Sequence, residues 1–250
     1  MQISIKSGIL RILPKLDRFT KRHAPFIVAK ALTETAKNVQ DDVKTSIKTV
    51  FDRPTPYTLN ATYLRPATKA RLEAEVRIKD EAVKGIAPIK YLAAQIYGGT
   101  RNDKRSEKLL RSFGILADGY SIVPGQGLKL DSYGNISRGI IQRILSQLKA
   151  NHDSYANETV ASRKRKRATA QPQARYFAIP VGSNTSRLAP GIYARFGFSS
   201  GSAIKPILMF VKTPRYKARL HFHDIGMKAI NANLERNLRK AYQIAIATAR

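Results

Sequence analysis

The chain has 250 residues and a formal net charge of +28, from 45 Lys+Arg against 17 Asp+Glu. At 43% hydrophobic and 25% charged it has the make-up of a globular protein that buries a core, which excludes collagen-like and wholly disordered readings. The absence of cysteine excludes a disulfide scaffold, an iron–sulfur cluster, a Cys-based zinc site and a thiol nucleophile together.

Residues Gln2–Lys6 alternate apolar and polar, as a short edge strand does. Ser7 can cap a short helix carrying Ile9, Leu10, Leu13 and Leu16. Arg11 and Pro14 break the apolar run of Met1–Pro14, and no small-residue cleavage site follows, so it is not a signal peptide. A basic segment on a membrane surface is the lesser alternative there. No stretch reaches the roughly 18 apolar residues of a spanning helix. A soluble protein of the cytoplasm, with no membrane partner, is expected.

Leu32, Ala36, Val39, Val43, Ile47 and Val50 form an apolar stripe at helical spacing from Pro25 to Phe51. The opposite face alternates Lys with Glu and Asp. Such a helix is about 40 Å long, and Asp52–Pro56 ends it. Lys69–Lys79 alternates Leu72, Ala74, Val76 and Ile78 with charged residues, the pattern of an antiparallel strand with one wet face. On that face Glu73 and Glu75, interleaved with Arg71 and Arg77, are charge partners rather than a catalytic pair. An apolar segment, 87–100, and a charged one, 101–111, follow. Tyr120–Val123 and Leu128–Leu130 have the character of short strands, and Ile140, Ile141, Ile144, Leu145 and Leu148 stand at helical spacing.

Asn151–Gln173 is polar, basic and without pattern, a long flexible loop. Arg175–Val181, Gly191–Phe196 and Lys205–Thr213 are strands of a meander, and Ile230, Leu234, Leu238, Ala241, Ala245 and Ala249 stripe a terminal helix over Ile225–Ala249. The order predicts one α+β domain, 1–250: long N- and C-terminal amphipathic helices packed on an antiparallel sheet, with a basic flexible loop around 151–173.

Nothing in the sequence has the signature of an active site, so no enzyme and no cofactor are expected. Gly125-Gln-Gly127 lacks the third glycine and the following helix of a phosphate loop. In a strand His221 and His223 would share a face and could bind a metal with Asp224; alternatively they border the last helix, with Asp224 at its N-terminus, and no further ligand cluster accompanies them. The latter reading is the simpler, and no metal is expected.

The charge is a statement about partners. Thr159–Arg250 holds 18 basic residues and two acidic ones, Asp224 and Glu235. Its densest run, Arg163, Lys164, Arg165, Lys166 and Arg167, cannot share one buried face. It is either an arm that contacts DNA phosphates or an acidic partner, or a solvated loop without a partner.

Lys205–Pro214, then basic residues, Phe222 and a long closing helix, resemble the end of the phage lambda minor tail protein Z family. The start is similar too, in the Lys6–Gly8 turn and the Ala-rich helix at Ala29–Ala36, and Tyr91–Thr100 resembles a passage of the wider tail-completion family, with Gly98 where that family has an acidic or small residue. The resemblance covers about the first 50 and last 50 residues. It implies a bacteriophage virion protein acting in tail completion and head–tail connection at the neck, a homo-oligomeric ring, taken as a hexamer, around the conduit for genomic DNA. Other tail and neck proteins would be its partners, and assembly would take place in the bacterial host cytoplasm. From the charge alone, the alternative is a sequence-independent nucleic-acid-binding protein with a basic surface.

Overall fold

The computed structural model describes residues 1–6, 18–83, 85–168, 174–183, 187–198 and 201–248. The turn at 6–8 and the Ser7-capped helix expected after it lie outside these residues. The chain divides into two compact units, Met1–Arg101 with Tyr216–Arg250, and Asn102–Arg215.

In the first unit, β1 (Gln2–Lys6), α1 (Arg18–Val50), α2 (Pro56–Leu59), β2 (Thr62–Arg65), β3 (Glu73–Ile78), α3 (Pro88–Tyr97) and the two-residue β4 (Gly99–Thr100) follow in order. The sheet is antiparallel, β1-β3-β2, with Ile3 opposite Val76 and Leu64 opposite Val76 on its other side. Side chains alternate across a strand. Ile3, Ile5, Ala74, Val76 and Ile78 therefore share one face, which packs on Val28, Leu32, Val39, Val43 and Ile47 of α1. The apolar stripe of α1 is the expected one, but the helix begins at Arg18 and carries Pro25 inside it. Proline there forfeits one backbone bond, to the carbonyl four residues back, and the helix continues through it.

The second unit begins with α4 (Arg105–Ser112), β5 (Tyr120–Pro124), α5 (Arg138–Gln147) and α6 (Val160–Ala168). The meander β6 (Arg175–Ile179), β7 (Gly191–Phe198) and β8 (Gly201–Lys212) completes it, and β5 pairs beyond β8 to give the antiparallel order β5-β8-β7-β6. Leu110, Leu116, Ile144 and Leu145 pack on Ile122, Ile192, Leu208 and Phe210 as its core. Glu107 is fully buried in this unit. Its Oε1 accepts the backbone N–H of Ile122 at 2.9 Å and its Oε2 that of Lys104 at 2.7 Å. One carboxylate thus caps α4 and satisfies a donor of the edge strand β5.

Leu128–Leu130 form no strand. Gly125 and Gly127 donate to the carbonyls of Ile207 and Pro206, after which Leu128 turns back to Gly125 and the pairing with β8 stops. A Cβ on Gly125 would meet the Pro206 carbonyl oxygen at 2.5 Å, so glycine is required there by close backbone approach and not by a phosphate.

After β9 (Arg215–Tyr216) the chain closes with α7 (Phe222–Thr248) in the first unit. It starts three residues earlier than its stripe predicts, with the Ile225 N–H bonded to His221. The architecture is α+β, and its two long terminal helices pack on each other more extensively than any other pair of elements. They run antiparallel. Phe222 and Ala229 share a cluster with Val39, Val43 and Ile47, while Ala241 and Ala245 meet Ile27 and Ala31 near the start of α1. Gly226 lets α7 lie against Ile3 of β1. Midway, the buried Asn237 side-chain amide donates to Thr35 Oγ1 at 3.0 Å and to Asn38 Oδ1 at 2.9 Å, and Thr35 donates in turn to the Ala31 carbonyl at 2.8 Å.

Alanine at 237 removes both bonds and leaves a void among small residues. Asn237→Ala is expected to lower unfolding free energy by about 1–3 kcal/mol, measured by urea titration. A loss of less than about 0.5 kcal/mol would show that the amide does not fix the helix pair.

Candidate polyanion-binding surfaces

The basic run expected in a flexible loop lies on a helix. Thr159 and Ser162 bond reciprocally at the start of α6: Ser162 N–H to Thr159 Oγ1 and Thr159 N–H to Ser162 Oγ, both at 3.1 Å. This is a capping box in miniature, and the Ala, Lys and Arg that follow are good helix formers. Because residues advance by 100° along a helix, five consecutive cations ring its axis instead of marking one face. That periodicity-free charge is why the sequence reads as a loop. Arg163 and Lys164 are exposed; the side chains of Arg165, Lys166 and Arg167 lie outside the described residues.

The stretch before α6 is anchored too. Asn157 bonds the backbone of Asn151 in both directions, and the Glu158 carboxylate pairs with Arg175 of β6 at 3.1 Å. Gln147 ties α5 to the start of β6 through the Ala174 carbonyl and the Tyr176 N–H. The basic helix therefore leaves from a fixed base.

In the first unit, the outer face of the sheet is set by register. Arg65 lies opposite Glu75, and Tyr63 and Gln2 flank Arg77. Glu73 sits at the rim, where Ser4 Oγ donates to it and Lys6 lies 3.5 Å away. The Ser4 bond holds the Glu73 carboxyl below its ordinary range, against the opposing effect of burial and with help from Lys6. Glu75 differs from its expected solvated place: its side chain is only 5% exposed. Arg77 Nη2 is 2.6 Å from one carboxylate oxygen, and Arg71 and Arg65 are 3.5 and 3.9 Å from the other. Three long guanidinium side chains fold over one short carboxylate, a covering that an alternating pattern does not reveal.

The histidines do not assemble a metal site. His221 Nδ1 is 3.8 Å from Asp224, three residues on, and both are exposed. Asp224 lies in the first turn of α7, where an acid suits the helix dipole. Among the described residues no three His, Cys, Asp or Glu side chains form a group able to hold a metal. No described helix is long and apolar enough to cross a membrane.

The charge divides more evenly than chain position implies. The first unit has 26 Lys+Arg against 11 Asp+Glu and the second 19 against 6. Each unit alone is strongly basic.

Removing the carboxylate at 75 leaves three guanidiniums facing one another. Glu75→Ala is expected to cost about 2–4 kcal/mol of unfolding free energy, below the full cost of a wholly buried pair because its partners are partly hydrated. A urea-titration loss under about 1 kcal/mol would mean that solvent screens the cluster. No family model matches this chain, and no curated protein or solved structure is significantly similar to it.

Proposed function

We propose that this chain is a structural protein of a bacteriophage tail, acting in tail completion at the head–tail junction around the DNA conduit. In this reading it works as a homo-oligomeric ring against other tail and neck proteins. One observation supports it above the others. The segments at the two ends of the chain that resemble the minor tail protein Z family, Ala29–Ala36 on α1 and the closing helix α7, pack together in one α+β unit. Lys205–Pro214, also part of that resemblance, lies chiefly on β8 of the other unit. A basic subunit repeated around a ring concentrates positive potential where a polyanion passes.

Mass spectrometry of purified particles should find the chain in the virion, and deletion of its gene should give heads and tails that fail to join. Particles that lack the chain, or a deletion that leaves infectivity intact, would overturn the proposal.

A second reading, sequence-independent nucleic-acid binding, is favoured by the exposed Arg163 and Lys164 on the anchored helix α6. Replacing Arg163–Arg167 by Gln should leave thermal unfolding within the scatter of ordinary surface changes, about ±0.5 kcal/mol. It should also weaken duplex binding and flatten its salt dependence. Unfolding of that variant would place the run in the core of its unit instead.

A further inference from the structure

We infer that the outer face of the three-stranded sheet in the first unit binds the phosphodiester backbone of nucleic acid through Arg65, Arg71 and Arg77, which Glu75 holds in place. It rests on the second reading, nucleic-acid binding, and adds a surface to it. It does not depend on the tail reading, and arginine variants that bind like the control would remove this surface while leaving that second reading in place.

The cluster carries three cations and one anion. A carboxylate has two oxygens and about four acceptor sites, whereas three guanidiniums bring fifteen N–H groups. Glu75 therefore orients the arginines without consuming them. Arg71 Nη2 and Arg77 Nε are buried and make no hydrogen bond among the described residues, and Glu75 Oε2 has only the ion-pair contact from Arg77 Nη2. A phosphate would be met by the exposed parts of the guanidiniums. The arginine side chains are 54% exposed at Arg65, 32% at Arg71 and 33% at Arg77, while the carboxylate beneath them is buried.

Their bases are fixed. Arg65 and Arg77 stand on paired strands, β2 and β3. Arg71 is held by backbone bonds in both directions with Thr68 and by a further bond from its N–H to the Thr68 hydroxyl. A guanidinium already positioned loses less side-chain freedom when it takes an anion.

The neighbours on this face choose between classes of partner. Gln2, Ser4, Lys6 and Tyr63, all exposed, complete it together with the half-buried Glu73, whose charge is met by Ser4 and Lys6. Arg, Lys, Ser, Gln and Tyr are the residues that contact phosphate and sugar. A protein partner would call for an apolar anchor at the centre of the face, and the centre here is an ion cluster. The inner face of the same sheet is covered by α1 and, at Ile3, by α7, so the outer face is the one left to meet a ligand.

The test is fluorescence anisotropy of the full-length chain with a labelled mixed-sequence duplex of about 25 base pairs, titrated over a range of KCl. Arg65→Gln is the first variant, because Arg65 is the most distant of the three from Glu75 and its loss leaves two partners on the carboxylate. Arg65→Gln with Arg71→Gln is the second, and Lys48→Gln, an exposed cation on α1, is the charge-matched control. Thermal melts establish that each variant is folded.

The single variant is expected to bind about three- to tenfold more weakly at low salt, with the slope of log K against log salt smaller by about one. The double variant should lose about two, and the control a small fraction of either. Wild-type chain that does not bind the duplex at low salt overturns the proposal, as do arginine variants that behave like the control. Polyglutamate competing as well as duplex at equal charge also overturns it, in favour of an acidic protein partner. None of these results touches virion composition, so the proposal can fail while the tail reading stands.

Discussion

Two helices from opposite ends of the chain are pressed together along a seam of small side chains, and the first unit depends on that contact. Ala31 and Thr35 of α1 meet Ala241, Asn237 and their neighbours on α7, at a separation where a larger residue would drive the axes apart. Apolar contact alone would allow α7 to slide by a turn, since alanine repeats along it. The Asn237 amide, bonded to both Thr35 and Asn38, has partners at one register only, as a polar residue in an apolar helix seam commonly does. With α7 fixed, its first turns settle on Ile3 of β1, and Gln95 of α3 receives Arg219 just before the helix. The sheet is thus held from one side by α1 and at its β1 edge by α7. Its outer face is left to polar and charged side chains.

How much of this is legible in the sequence follows from what sets each element. α1, β3 and α7 are amphipathic, each with one apolar side turned to the core of the first unit, so period 3.6 or period 2 survives in their residues and locates them within a few positions. The meander β6-β7-β8 is likewise marked by apolar runs between Gly, Ser and Pro. α6 is invisible to periodicity because its cations surround the axis, and its existence rests on a reciprocal Thr159–Ser162 cap and on intrinsic propensity. α4 hides in a charged stretch for a different reason. Its first-turn acid, Glu107, is not a surface charge but a fully buried acceptor for α4 and β5. No local pattern distinguishes such a glutamate from a solvated one, because the donor that claims it lies fifteen residues away.

The same limit applies to Glu75. The sequence places it in an alternating row of charge, and its nearest partners Arg71 and Arg77 are visible there. Arg65 reaches it only through strand pairing. That third guanidinium turns a balanced ladder into a cluster with a net charge of two. The distinction matters for the surplus of 28, because rows that pair locally neutralise themselves while clusters with too few anions do not.

Stability and charge then pull in opposite directions at the same residues. Every uncompensated cation raises the self-repulsion of the folded state, and cations held close by a fold pay more of it than those on flexible chains. Neutral residues on the outer sheet face would serve a purely structural role with less strain. Three arginines around one buried carboxylate instead keep positive charge concentrated on rigid strands, at a place where the carboxylate limits the repulsion without abolishing the field. On α6 the repulsion is relieved differently, since consecutive positions on a helix diverge around its axis and Arg163 and Lys164 are exposed to water. Two unrelated devices, in two separately compact units, hold charge in ordered positions where a disordered tail would carry it with less self-repulsion. Order of that kind costs free energy unless a polyanion or an acidic surface returns it on binding, and this is the physical ground for reading the charge of this protein as a binding property.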